Sequence, residues 1–255
     1  MDALTSAMQG AASAPRSAPQ ARAPLLLVGG GGALGSVLLA ELLARAGQGR
    51  VAALVDDRIQ SAVRNFVPLP RRRLHEAGGI EAGTAVLVFE RERHSNGRDD
   101  AFVQPQPEEL LPLAQALARH GVQQLIVVVP HAPALLPGAL KHGFASSDEA
   151  ALAQLPFEQL LILRSAQSLA SAGEQRGMAA FAHWWMSQLR WMIPQQQQPV
   201  RALRLAALVA ELALLLPEAP PGHRVLPPEL LWQAAQAADA RPVLRAWLEG
   251  GRASG

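Results

Sequence analysis

The sequence predicts an α/β fold: a doubly wound parallel sheet with a small helical C-terminal lobe. Three observations predict it. Short apolar runs of strand length alternate with helix-length runs along most of the chain, the pattern that buries a parallel sheet beneath helices on both faces. The first such pair is joined by glycines, in LLLVGGGGALGSVLLAELL over residues 25–43. The chain has 255 residues and is 49% hydrophobic, enough for one domain with a sizeable core.

Taken in order, residues 1–23 are rich in Ala, Ser, Pro and Gln and read as a disordered tail. Leu25–Val28 is a short buried strand. Ala33–Ala46 is apolar nearly all round, as a helix pressed on a sheet should be, and Gly47 stops it. Val51–Val55 is a second strand, ending at Asp56-Asp57. A loop with Pro68, Pro70 and Arg71-Arg72-Arg73 follows, and Thr84–Phe89 is the third strand. Arg91–Pro107 reads as an irregular surface loop. Pro107–His120 is a helix with Pro at its start, Glu108-Glu109 in its first turn and Gly121 as its stop.

Gln124–Val129 is the fourth strand, residues 130–146 a loop, Ser147–Leu155 a helix and Gln159–Leu163 the fifth strand. Gly173–Ile193, Leu203–Leu216, Pro228–Ala238 and Pro242–Leu248 read as helices, with a short strand at His223–Leu226. The organisation is therefore a tail (1–23), one nucleotide-binding-type domain (24–249, with 173–249 as its C-terminal lobe) and a closing tail (250–255).

Gly30, Gly32 and Gly35 form G-x-G-x-x-G between the first strand and first helix. The first glycine permits a tight turn, the second lets backbone approach a pyrophosphate, and the third lets helix and strand pack without a Cβ between them. The helix start at Ala33 and Leu34 then offers unpaired N–H groups to phosphate oxygens. Asp56 follows Gly35 by about 20 residues, where a carboxylate accepts both hydroxyls of an adenosine ribose. It would repel a 2′-phosphate by about 3–4 kcal/mol at roughly 4–5 Å if the effective dielectric is ~20. That predicts NAD over NADP by about two orders of magnitude, unless Arg58 reaches the phosphate and makes NADP possible.

Composition excludes other classes. There are no cysteines, so disulfides and thiolate chemistry are out. The seven histidines show no metal-ligand spacing, and no metal is expected. Net charge is only +2 and aromatics are 4%, so nucleic acid is not an expected partner. The longest apolar run, Leu205–Leu216, is interrupted by Glu211 and too short to span a bilayer. The N-terminus has no continuous apolar segment of the secretory kind, although its arginines and few acids leave a transit peptide open. The preference for arginine over lysine points to the cytoplasm.

Residues 24–239 resemble the atypical short-chain dehydrogenase/reductases, a Rossmann-fold group related to NmrA-like proteins and NAD-dependent epimerase/dehydratases. The resemblance rests on the glycine turn, on LPLAQALARHGVQQLIVVV (111–129) leading into the fourth strand, and on SSDEAALAQLPFEQLLILRSA (146–166). It also rests on Arg201–Leu216 followed by Gly222-His223-Arg224-Val225-Leu226. It implies an NAD(P) site and chemistry by a Ser or Thr after the fourth strand and a Tyr-x-x-x-Lys on the next helix. This chain departs there. It has no tyrosine, Pro130 or His131 stands at the serine position, and its single lysine, Lys141, lies before the helix. A positioned acid/base is worth about 10²–10⁴ in rate. After the third strand, the family's small turn is replaced by Phe89-Glu90-Arg91-Glu92-Arg93, which would narrow the nucleotide cleft.

Three readings follow. The chain is a catalytically degenerate dinucleotide-binding sensor, regulator or assembly partner. Alternatively it is an active NAD(P)-dependent oxidoreductase or epimerase that uses His131, at the ligand-binding edge of the sheet, as a substitute acid. Or it is a structural interaction protein with an empty cleft. The adjacent Trp184 and Trp185 cannot face the same way on a helix, so one is expected at a core and the other at a lid, an oligomer contact or a protein partner.

Overall fold

A computed structural model describes residues 24–47, 49–56, 63–90, 101–130, 150–165 and 202–250. Seven strands form one sheet: β1 (Leu25–Val28), β2 (Val51–Val55), β3 (Phe66–Pro70), β4 (Thr84–Val88), β5 (Gln124–Pro130), β6 (Gln159–Ser165) and β7 (Gly222–Leu226). All neighbours pair parallel, in the order β3-β2-β1-β4-β5-β6-β7. The order reverses between β1 and β4, the switch point where open α/β sheets bind ligands.

Five α-helices of eight or more residues lie among the described residues: α1 (Gly32–Arg45), α2 (Leu110–Arg119), α3 (Ala202–Leu215), α4 (Pro228–Gln236) and α5 (Arg241–Leu248). The strands are apolar runs because both faces are covered. Alternate residues serve opposite cores. Leu25 and Leu27 join Val86, Val88, Ile126 and Val128 beneath α1, α3, α4 and α5. Leu26 and Val28 join Leu87, Phe89, Leu125 and Val127 beneath α2. On α1 the buried side is Leu34, Gly35, Leu38 and Leu42, one stripe at helical spacing. The described part of the C-terminal region is built into the same layers, since β7 extends the sheet and α3 lies against α1.

The sequence reading treats Pro68 and Pro70 as a loop; the structure makes them part of β3. Proline cannot donate to a ladder and is confined to strands at an edge, and β3 is the terminal strand on that side. Thr84–Val88 is therefore the fourth strand, Gln124–Pro130 the fifth and Gln159–Ser165 the sixth. Arg71-Arg72-Arg73 keep much of their side-chain surface in solvent, but in a regular turn and not an irregular loop. They sit on a 3₁₀ turn (Arg71–His75), with Arg71 paired to Glu109 and Arg73 to Glu76 at 2.9 Å.

Candidate nucleotide site

The glycine turn leaves the C-terminal end of β1 and enters α1. Gly29, not Gly30, takes the left-handed conformation that makes the turn, at φ 91°, and Gly32 does so again at φ 78°. A side chain at Gly29 would strike the Val88 carbonyl on neighbouring β4. Gly35 has a different reason. A Cβ there would strike the Gly29 carbonyl, so its absence is what lets the first turn of α1 lie on the end of β1. Gly30 has ordinary φ, and a Cβ on it would lie 2.9 Å from Cδ1 of Phe102.

Helix α1 begins with four backbone N–H groups that have no partner inside the helix. Its N-cap, Gly31, supplies no side-chain hydrogen bond. Glu90 does so from across the switch point. Ala33 N–H donates to Oε2 at 2.9 Å, Gly35 N–H donates to Oε1 at 2.9 Å, and Leu34 N–H also donates to Oε1. The partners are 57 residues apart in sequence for Ala33. The parallel pairing of β1 with β4, Val28 opposite Leu87, brings them together. Phe89 fixes the approach, being buried and donating its N–H to the Val128 carbonyl at 2.9 Å. The next residue emerges over the turn. The predicted phosphate-binding groups, the N–H groups of Ala33, Leu34 and Gly35, thus converge on a single anion, and that anion belongs to the chain.

Asp56 lies exposed at the end of β2. Between it and the glycine turn runs the segment 101–103. Gly29 N–H donates to the Val103 carbonyl at 3.1 Å, Val103 N–H to the Leu54 carbonyl at 3.1 Å, and Asp56 N–H to the Ala101 carbonyl at 3.1 Å. β1 and β2 pair only as far as Leu27 and Ala53. Beyond that point Val103 is inserted between them, and Phe102 makes an antiparallel bridge with Val55. The crevice is not empty: its floor between turn and Asp56 is covered by the chain itself. Glu90 is bulky and charged, as the sequence shows, whereas residues 101–103 form this floor and not the surface loop expected there. The apolar triplet Ala101-Phe102-Val103 was the available signal.

Arg58, His131, Lys141, Trp184 and Trp185 lie outside the described residues. Arg164 lies within β6, opposite Val129, with an exposed side chain.

A Bacillus halodurans protein described as a candidate NAD-dependent epimerase/dehydratase superposes with TM-score 0.51 at 14% identity, over 83% of this chain and 99% of that one. The two chains share a fold. It is a Rossmann-like fold, with a parallel sheet between helices. Two further structures are more distant. The Bordetella bronchiseptica enzyme WbmG in complex with NAD gives TM-score 0.46 at 15% identity, over 92% of this chain and 79% of that one. A UDP-N-acetylglucosamine 4-epimerase from Bacillus cereus gives 0.43 at 11%, over 83% and 82%. No family model and no curated protein matches the sequence. Among the described residues no helix is long and apolar enough to cross a membrane.

Proposed function

We propose that this chain is a catalytically degenerate Rossmann-fold protein that takes an NAD-type dinucleotide at the glycine turn and acts as a sensor, regulator or assembly partner. One observation carries the reading: the N–H groups of Ala33, Leu34 and Gly35 converge on a carboxylate. A turn that holds one anion in this geometry presents the donors and the helix-end potential that a diphosphate needs. Asp56 at the end of β2 supports NAD as the form. The degenerate part rests on composition, since a chain without tyrosine lacks the proton donor on which the family's chemistry depends.

The test is titration of the purified chain with NADH and NADPH, followed by nucleotide fluorescence and calorimetry. Saturable NADH binding without hydride transfer to carbonyl substrates is the expected result. Robust turnover would reinstate the reading as an active oxidoreductase or epimerase, and His131→Ala would then show whether that histidine supplies the acid. A structural role is the second reading, favoured by Val103 and Phe102 lying across the crevice. It predicts that neither nucleotide binds up to millimolar concentration, even when Glu90 is removed.

A further inference from the structure

We propose that Glu90 is a built-in competitor for the diphosphate seat, so that a nucleotide binds only by displacing its carboxylate. The proposal concerns the regulation of the site and rests on reading the glycine turn as a nucleotide seat. Three donors point at one position, and Glu90 holds all three with its two oxygens. A diphosphate placed there would need the same N–H groups. It would also bring a second negative charge to within a few ångströms of the carboxylate, where like charges repel. Both anions cannot occupy the seat together.

The competitor is held in place but is able to leave. Its backbone follows buried Phe89, which is anchored to β5, so the carboxylate returns to the same position whenever the seat is vacant. Its side chain is only half-buried, and the Ala33 bond is at the surface. Rotation about the side-chain bonds removes it without moving a strand. The same stretch of chain contributes a second obstacle twelve residues on, because Phe102 lies against Gly30 and its neighbours bridge the turn to Asp56. A helix start served by a distant carboxylate instead of a local cap is stable when empty of ligand. That suits a site that should respond only to a high ligand concentration.

The experiment compares the full chain with Glu90→Ala and Glu90→Gln, using inorganic pyrophosphate, ADP, adenosine and NADH as probes in calorimetry and thermal-shift measurements. Removing the competitor should tighten pyrophosphate and ADP binding at least about tenfold, which is about 1.4 kcal/mol, with no gain for adenosine. Glu90→Gln should fall between, because the amide keeps the side-chain volume and one acceptor oxygen but loses the charge. It carries the comparison if the alanine variant folds poorly. Unchanged or weaker pyrophosphate binding in folded variants would overturn the proposal. A gain for pyrophosphate without any for NADH would support the competitor and remove the dinucleotide reading. Tight NADH binding by the unaltered chain, with no gain on substitution, would do the reverse.

Discussion

Gly35 and Gly121 are glycines for different reasons, and the difference is measurable. A Cβ at Gly35 meets the Gly29 carbonyl, backbone against backbone, so no rotamer change can relieve it. Gly35→Ala must lift α1 from β1, and it should destabilise the fold by about 3 kcal/mol, the upper part of the overpacking range. Gly121 ends α2 at φ 79° with open space around its Cβ position. Gly121→Ala incurs only the left-handed backbone strain, about 1–2 kcal/mol. Urea denaturation of the two variants should give that order. A Gly121→Ala loss equal to or larger than that of Gly35→Ala would show that helix and strand do not approach as described.

At the scale of elements, α3 shows how one charged residue is kept in an apolar helix. Glu211 is 10% exposed and lies 3.0 Å from Arg45 on α1 and 3.2 Å from Arg241 on α5. Both arginines keep a substantial part of their surface in water, at 36% and 45%. That tempers the several kcal/mol typical of breaking a buried pair. Glu211→Ala should therefore cost about 1–2 kcal/mol and lower Tm by roughly 2–8 °C in a domain of this size. A double-mutant cycle with Arg241→Ala should return a coupling of at least about 0.5 kcal/mol. A coupling near zero would mean that Glu211 does not tie α3 to α5.

The elements also show what a sequence exposes and what it hides. Strands β1, β2, β4, β5 and β6 were legible because continuous apolar runs signal burial on both faces. β3 was hidden because Pro68 and Pro70 mark a break everywhere except in an edge strand. The glycine turn was legible because its requirements are local: a left-handed residue and a close helix. Its occupant was not. Glu90 reaches Ala33 across 57 residues, through a strand crossover that no local pattern encodes. The same holds for Val103, whose insertion between Gly29 and Leu54 depends on where β1 and β2 stop pairing.

For the molecule as a whole, the parallel sheet brings the ends of β1, β2 and β4 to one edge, and with them the Glu90 and Asp56 carboxylates. A dinucleotide approaching this edge meets two negative groups with different consequences. On the proposed nucleotide reading, Glu90 would oppose the diphosphate of either cofactor alike, whereas Asp56 would oppose the 2′-phosphate that distinguishes them. A preference of about two orders of magnitude for NAD requires an effective dielectric of ~20 between Asp56 and the phosphate. Asp56 is exposed, so its charge acts largely through water, where two unit charges 4 Å apart interact by about 1 kcal/mol. A phosphate carrying close to two charges then loses roughly 2 kcal/mol, and NADH should be preferred by between about tenfold and thirtyfold. Asp56→Asn should reduce that preference to about threefold or less in the Glu90→Ala background, where binding is strong enough to measure for both nucleotides. The ratio of the two dissociation constants is the readout, because it cancels the Glu90 contribution. An unchanged ratio would mean that the adenosine end of the ligand does not lie beside β2.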